Sequence, residues 1–259
     1  MERGSGTPVI FLHGYPLNHT MWLPQLEDFS ADHHVGLLDL PGYGLARDSP
    51  VPETLAGFAG AVHETVTRRF STPVVVVGHS FGGYISLLWY RDHPEQFRGL
   101  VLTNTRAEAD SPEVREKRLA TAQRLEDPAQ SLDVEEVVRG LLAPATWEAG
   151  GSVVGAARAM VQGAPSNAVR ATLRALAGRP DLTEVLARIR VPTLVVWGEE
   201  DHLIPPAQSQ SLVPRIDGSV GAAIPGAGHL PSLEAPKSFS TALRPFLDRI
   251  SVVGTDRVP

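Results

Sequence analysis

A serine lies between two glycines directly after an apolar run of the chain. Four valines at 74–77 are followed by Gly-His-Ser-Phe-Gly at 78–82, and a segment with helical patterning starts at Phe81. This pattern predicts a strand that turns sharply into a helix, because small flanking residues accommodate a strained serine backbone. The positive end of the helix would stabilise an oxyanion formed there. Ser80 could therefore act as a nucleophile, or it could simply cap the helix.

A serine hydroxyl is a weak nucleophile near neutral pH and needs a base that is held by an acid. Asp201 follows one later apolar run, and His229 follows the next. The carboxyl ends of parallel strands meet at one edge of a sheet, so both side chains are expected near Ser80. We predict that the three residues form a catalytic triad. Glu199 and Glu200 are rival acids, and each triad member alone could be an ordinary loop residue.

The elements that would position these residues are short apolar runs. None of the runs alternates with polar residues, which is typical of strands buried on both faces of a parallel sheet. Segments 56–70 and 81–90 between them predict crossover helices. The alternation predicts an α/β fold, a doubly wound and mostly parallel sheet with helices on both faces. The predicted strands are 8–12, 35–38, 73–77, 99–103, 192–197 and 220–224.

Residues 107–190 interrupt this alternation. No strand is predicted there, and a structureless loop of that length would be unusual in a compact domain. We interpret the segment as a helical cap or lid, called the insert below, between the fourth and fifth predicted strands. The core would then comprise 1–106 and 191–259. Helices are predicted in the insert at 113–124, 134–142, 155–160 and 168–177.

Composition excludes several kinds of partner. The 259 residues carry 23 Lys and Arg against 29 Asp and Glu, a net charge of −6, which argues against binding nucleic acid. There is no cysteine, and His33-His34 lacks further ligands at metal spacing, so no metal site is predicted. No apolar run is long enough for a signal peptide or a membrane span, which predicts a cytoplasmic protein.

Five motifs together resemble the α/β-hydrolase fold family, and in particular its cap-bearing small-molecule serine hydrolases. The resemblance implies that Ser80 is the nucleophile, His229 the base and Asp201 its orienting acid. It also implies an oxyanion hole made by the backbone N–H groups of Tyr15 and Phe81, the two fixed donors that a tetrahedral intermediate needs. The motifs are His-Gly-Tyr-Pro at 13–16, Asp-Leu-Pro-Gly-Tyr-Gly at 39–44, the serine turn at 78–82, Gly-x-x-Asp at 198–201 and Gly-x-Gly-His at 226–229.

By this resemblance the chain is expected to be a cofactor-free serine hydrolase that cleaves a small carboxylic ester or lactone through an acyl-enzyme. A serine nucleophile argues against epoxide hydrolases and haloalkane dehalogenases, whose nucleophile is an aspartate. C–C bond hydrolases, perhydrolases and hydroxynitrile lyases remain open alternatives. A non-hydrolytic member that binds a ligand or supports a cyclisation is another, since a fold does not prove a function.

Four further side chains are candidates for substrate binding. Trp22 could line the pocket or pack against the first helix of the fold, and Arg106 could meet an anionic substrate group or pair with Glu108. Trp147 and Met160 belong to the insert. His13, His79 and Asp39 are interpreted as structural residues of the turns, with Asp39 holding the turn at 41–44 through bonds to its backbone.

One departure from the family concerns the start of the sheet. Members usually have two further strands before the loop at 13–16, but only residues 1–7 precede the first predicted strand here. We therefore expect these N-terminal strands to be missing or shortened. Residues 35–38 would then form an exposed sheet edge, through which a homodimer could assemble.

Overall fold

Seven strands form one sheet in the computed structural model, which describes residues 1–253. Their order across the sheet is β1-β3-β2-β4-β5-β6-β7, and every neighbouring pair is parallel except β1 with β3. All six predicted strands are confirmed, and with them the α/β fold class. The strands are β1 Glu2–Arg3, β2 Thr7–Leu12, β3 His33–Leu38, β4 Val74–His79, β5 Phe97–Thr103, β6 Thr193–Gly198 and β7 Val220–Ile224.

Strand β1 corrects the prediction that residues 35–38 form an exposed edge. Arg3 pairs with Val35 and Glu2 with Gly36 in antiparallel register. The N-terminal ammonium group of Met1 also donates a hydrogen bond of 2.9 Å to the carbonyl oxygen of Leu37. Two charged residues carry no hydrophobic signal, which is why sequence patterning misses this strand. The predicted homodimer loses the open edge on which it depended.

Helices cover both faces of the sheet. The predicted helices at 56–70 and 81–90 are confirmed as α2 and α3, with ends that differ by one or two residues. Among residues 1–253 no helix is both long and apolar enough to cross a membrane. The helices outside the insert are α1 Leu23–Phe29, α2 Leu55–Arg69, α3 Phe81–Asp92, α10 Pro206–Gln210, α11 Pro231–Glu234 and α12 Pro236–Val253, with 3-10 helices at His19–Trp22, Gly44–Ala46, Pro94–Gln96 and Val213–Arg215.

The sheet separates two hydrophobic cores, because successive side chains of a strand point to opposite faces. In β4, Val74 and Val76 pack with α2 and α3, whereas Val75 and Val77 pack with α1 and α12. All four valines are buried. Burial on both faces explains why the strands lack polar alternation, and it holds the carboxyl ends of β4, β5 and β6 in fixed positions.

The insert is entirely helical in its ordered elements and lies between β5 and β6. Helices α4 and α8 pack against each other, and α5 packs against α7. The four predicted helices are confirmed, and two short ones, α6 and α9, were not predicted. Whether the insert is a separate cap unit with the predicted boundaries stays a prediction. Its helices are α4 Pro112–Arg124, α5 Val134–Leu141, α6 Pro144–Ala149, α7 Gly151–Gly163, α8 Ser166–Ala177 and α9 Thr183–Leu186.

Candidate active site

Ser80 occupies the sharp turn between β4 and α3. Its backbone angles are φ 51° and ψ −110°, a region that side-chain-bearing residues rarely adopt. The flanking glycines permit this turn, since a Cβ at Gly82 would lie only 2.6 Å from the carbonyl oxygen of Leu12. A Cβ at Gly78 would lie 2.6 Å from the carbonyl oxygen of Gly82. The predicted strand-turn-helix geometry around Ser80 is therefore present.

The backbone of Ser80 is held firmly while its hydroxyl is left free. Its N–H donates to the carbonyl oxygen of Thr103 at 2.9 Å. Its own carbonyl oxygen accepts from the Thr105 hydroxyl at 2.9 Å and from the N–H groups of Gly83 and Tyr84. Within residues 1–253 no hydrogen bond engages the Ser80 hydroxyl. A strained backbone fixed on both sides presents the side chain at the carboxyl edge of the sheet.

His229 and Asp201 form a buried pair at the same edge. Nδ1 of His229 donates to Oδ2 of Asp201 at 2.7 Å. Nε2 of His229 is also buried and has no hydrogen-bond partner in the part of the chain that the structure describes. An imidazole that carries its proton on Nδ1 has a lone pair on Nε2. The pair can therefore accept one proton from a hydroxyl group.

Asp201 is the best placed of the three candidate acids. Its Oδ1 accepts from the backbone N–H groups of Leu203 and Ile204, both at 2.9 Å. Burial alone would raise the pKa of Asp201, but the charge and hydrogen bond of His229, with further hydrogen bonds, hold that pKa below its ordinary value. Neither Glu199 nor Glu200 makes a side-chain hydrogen bond to His229 among the residues described here.

Asn104 is a site residue whose role the sequence did not reveal. Its Nδ2 donates to Oδ2 of Asp201 at 2.7 Å and to the carbonyl oxygen of Gly228 at 3.2 Å. It is fully buried and has a positive φ of 46°. Its position directly after β5 was the only available signal. Asn104 thus supplies a fourth donor to the Asp201 carboxylate and links it to the loop that carries His229.

Replacing Asn104 should reduce activity without removing it. Hydrogen bonds to charged groups contribute about 1.5 to 3 kcal/mol, so Asn104→Gly should lower kcat roughly 10-fold to 100-fold. Asn104→Ala should show the same loss and an additional destabilisation of about 1 kcal/mol, because alanine is strained at positive φ. Steady-state kinetics and urea unfolding check this, with the exposed Asn167→Ala as control. Full activity in the glycine variant would show that Asp201 does not need the amide.

Two unused backbone donors flank Ser80. The N–H groups of Tyr15 and Phe81 donate to no acceptor within the described range, 1–253. Gly14 brings the first of them close, since a Cβ at Gly14 would lie 3.2 Å from Cβ of Ser80. His13 braces this loop, because its Nδ1 donates to the carbonyl oxygen of Gly14 and its Nε2 accepts from the N–H of Leu40, each at 2.9 Å. Free donors on a braced loop suit an oxyanion.

Asp39 joins the two loops beside this site. Its carboxylate accepts from the N–H of His19 and the N–H of Leu45, each at 2.7 Å, and from Nδ1 of His19 at 2.7 Å. These bonds agree with the structural role predicted for Asp39. Burial opposes the charge of this carboxylate, but the hydrogen bond from His19 and neighbouring groups keep its pKa below the ordinary value.

Two histidines beside the site are kept neutral by burial, and this predicts acid lability. Burial lowers the pKa of His13 from 6.5 to about 4 and that of His79 from 6.5 to about 3. The unfolded chain therefore binds more protons below pH 6.5. Above pH 6.5 both rings are neutral in the folded and in the unfolded chain, so they do not destabilise the fold. As the pH falls from 6.5 toward 4, only the unfolded chain takes up protons, and the free energy of unfolding decreases. The free energy of unfolding should fall on the order of 4 kcal/mol between pH 7 and pH 5.

Urea unfolding followed at several pH values measures this loss. His13→Gln should make the pH dependence shallower, whereas Asn167→Ala, which changes an exposed residue that does not titrate, should leave it unchanged. A flat stability profile between pH 7 and pH 5 would contradict the assignment of neutral, buried rings.

Three of the four candidate substrate-binding residues, Trp22, Trp147 and Met160, belong to one hydrophobic core. Trp22 is fully buried against Phe11 and Phe239, with ring centroids at 5.1 and 5.8 Å. Met160 is buried in the same core, and Trp147 packs on it. Trp22 therefore packs in the core against β2 and α12. The substrate contacts of these three residues stay predictions.

Arg106 forms an ion pair other than the one proposed. It binds Asp110 at 2.7 Å, whereas Glu108 binds Arg215 at 3.0 Å. Pairing of Arg106 with Glu108 is thus wrong. The Asp110 side chain is buried, and it is also bound by Arg118 and Arg179, at 2.8 and 2.7 Å. The structure places Arg106 in this four-residue cluster, and an anionic substrate group at Arg106 stays a prediction.

The comparison with known proteins decides the family. A sequence model described as the alpha/beta hydrolase family matches residues 9–242. The chain belongs to the α/β-hydrolase family. This hydrolase is 29% identical to a pimeloyl-acyl-carrier-protein methyl ester esterase of Chromobacterium violaceum, over 95% of this chain and 96% of that protein.

Solved structures of other α/β hydrolases have the same architecture. A thermophilic esterase from Thermogutta terrifontis matches the hydrolase with a TM-score of 0.92 and 32% identity, covering 97% of this chain and 93% of that one. An enol-lactonase from Burkholderia xenovorans matches with a TM-score of 0.86 and 22% identity, covering 96% and 95%. The second likeness concerns the fold alone.

Proposed function

We propose that this hydrolase cleaves small carboxylic esters or lactones through an acyl-enzyme. Ser80 is the nucleophile, His229 the general base and Asp201 the acid that orients it. The observation that carries the proposal is the buried imidazole of His229, bonded to Asp201 at Nδ1 and unpaired at Nε2 within residues 1–253. Such an imidazole is arranged to take the proton of a nucleophile.

The reaction follows from these positions. Ser80 Oγ attacks the carbonyl carbon of the ester while its proton passes to Nε2 of His229. The carbonyl oxygen becomes an oxyanion that accepts hydrogen bonds from the N–H groups of Tyr15 and Phe81. Collapse of the intermediate breaks the ester C–O bond, and the leaving alcohol takes the proton from His229. Water, deprotonated by the same imidazole, then attacks the acyl-enzyme and releases the acid and free Ser80.

Names of similar proteins support ester cleavage as the chemistry. The relative from Chromobacterium violaceum is named a methyl ester esterase, and the neighbour from Thermogutta terrifontis is an esterase. Both names refer to the cleavage of an ester, and the enol-lactonase has the same fold. A small ester or lactone is therefore the substrate class that we propose, in preference to C–C bonds or to ligand binding without hydrolysis.

We further propose that the insert covers the site as a lid. Its helices α5 and α7 bury Val138, Leu141 and Met160 in the core that also contains Trp22 and Leu230, next to His229. A lid excludes water and positions a substrate. Trp22, Arg106, Trp147 and Met160 are the side chains we propose to contribute to substrate selection, and a cytoplasmic location is part of the same proposal.

An active-site-directed fluorophosphonate tests the proposed chemistry. It should label Ser80 in the wild type, because only an activated serine reacts. Turnover of p-nitrophenyl esters of graded chain length and of several lactones would then define the preferred acyl group. A protein that binds these compounds but is neither labelled nor active would support the non-hydrolytic alternative.

A further inference from the structure

The loop that carries His229 is attached to the insert. We call residues 226–230 the base loop. The backbone N–H of His229 donates to the carbonyl oxygen of Leu141 at 3.0 Å. Gly228 lies so close to Ala143 that a Cβ at position 228 would collide with the Ala143 backbone nitrogen. His229, the proposed base, is thus in direct contact with the end of α5, an element of the insert.

Glu234 connects the same two segments through its carboxylate. Oε1 accepts from the N–H of Gly228 and the N–H of Leu230, each at 3.0 Å. Oε2 accepts from the N–H of Ala143 at 2.8 Å. The two base-loop donors flank His229 on either side. One carboxylate therefore binds the base loop with one oxygen and the insert with the other.

These bonds account for every N–H group in the centre of the base loop. Gly228 and Leu230 donate to Glu234, and His229 donates to Leu141. The remaining anchors are carbonyl groups, since His79 Nε2 donates to the carbonyl oxygen of His229 at 2.7 Å and Asn104 donates to that of Gly228. The strands of the sheet thus supply no acceptor to the N–H groups of residues 228–230, which fix the position of the His229 backbone.

An ionised carboxylate is the group that fits this position. It only accepts hydrogen bonds, whereas a protonated acid or an amide would direct one donor at an N–H group. Burial raises the pKa of Glu234, and the opposing hydrogen bond from Ala143 and those from Thr146 and the base loop do not fully restore it. Burial disfavours the charged form of Glu234. Its carboxylate is nevertheless placed to accept hydrogen bonds from the base loop and from Ala143, as a positioning role requires.

We propose that Glu234 is a positioning residue which fixes the base loop to residues 141–143, so that the seating of the insert sets the position of Nε2 of His229. The inference rests on the proposed function, because it assigns His229 the role of base. A displacement of about 1 Å at a catalytic group can cost roughly 100-fold in rate. Contacts between a substrate and the insert would therefore affect the rate of proton transfer as well as affinity.

Glu234→Gln tests the proposal, because glutamine keeps the shape but cannot accept from both segments. We expect kcat for a p-nitrophenyl ester to fall about 10-fold and KM to change less than twofold. The rate of fluorophosphonate labelling of Ser80 should fall in parallel, while the melting temperature stays within a few degrees of wild type. Glu136→Gln, which changes an exposed carboxylate of the insert, serves as the matched control and should leave all three quantities unchanged.

A second variant separates positioning from a purely structural role. Glu234→Asp keeps the charge but shortens the side chain by one methylene, so its carboxylate cannot reach the base loop and Ala143 together. Glu234→Asp should therefore lower kcat as Glu234→Gln does. Folded variants that keep kcat within twofold of wild type would overturn the proposal. Failure of both variants to fold would also overturn it, in favour of a structural role.

The proposed function and the proposed role of Glu234 can be disproved separately. If wild-type protein neither turns over esters nor is labelled at Ser80, the proposed function is wrong. If the wild type is active and labelled while Glu234→Gln matches it in kcat, only the role of Glu234 is wrong.

Discussion

Ser80→Ala should abolish ester turnover, with a loss on the order of 10⁶-fold in kcat by analogy with other serine triads. The variant loses only the hydroxyl, because the bonds of the Ser80 backbone to Thr103 and Thr105 involve main-chain atoms of residue 80. Alanine meets the same backbone strain at φ 51° as serine does. Thermal stability should therefore be unchanged. Steady-state kinetics with a p-nitrophenyl ester and a melting curve measure the two effects.

Ser240→Ala is the matched control for this experiment. Ser240 lies in α12, and its buried hydroxyl has no hydrogen-bond partner in the described part of the chain, so its removal leaves no group unpaired. The control should keep full activity. More than a few per cent of activity in a normally folded Ser80→Ala protein would assign the nucleophile to another residue.

Asp201→Asn should lower kcat on the order of 10⁴-fold with little change in fold. The amide would present its NH₂ group either to Nδ1 of His229 and Nδ2 of Asn104, which now both donate to Oδ2, or to the N–H groups of Leu203 and Ile204, which donate to Oδ1. A donor facing Nδ1 favours the tautomer with its proton on Nε2. That tautomer cannot accept the Ser80 proton. Kinetic constants measured beside the unfolding free energy distinguish this effect from simple destabilisation.

Glu199→Gln and Glu200→Gln provide the comparison for Asp201→Asn. Both carboxylates are neighbours of Asp201 in sequence, and neither bonds to His229 within residues 1–253. Their replacement should therefore change kcat less than about threefold, as is usual for substitutions away from a site. An inactive Glu200→Gln protein would move the orienting acid to that residue.

Local patterning was sufficient to predict the central sheet because its strands are buried on both faces. A continuous apolar run such as 73–77 is typical of a central strand, and the glycines at 78 and 82 indicate the turn at Ser80. Strand β1 has no such signal, since Glu2 and Arg3 are exposed and are ordered by pairing with β3. Helix α9 is four residues long, too short for a helical period to be recognised.

Only the site residues that belong to local sequence motifs could be predicted. Ser80 follows a strand between glycines, and His229 follows one in a glycine-rich loop. Asn104 and Glu234 act through contacts with residues far away in sequence, so neither has a local pattern that specifies its partner. Glu234 ends α11 and accepts a hydrogen bond from Ala143, which lies in the insert between α5 and α6, so the contact depends on how the insert packs on the core.

The insertion point between β5 and β6 has a consequence for the evolution of this chain. Leu100 pairs with Thr193, so that the pairing closes a loop of about ninety residues. The entropy lost in closing such a loop grows with the logarithm of its length, and doubling the loop costs only about 0.6 kcal/mol. Segments of very different length can therefore replace one another here while the sheet remains intact. A replacement has to restore one acceptor for the His229 N–H and one donor for Glu234, and selection for a new substrate can alter the rest.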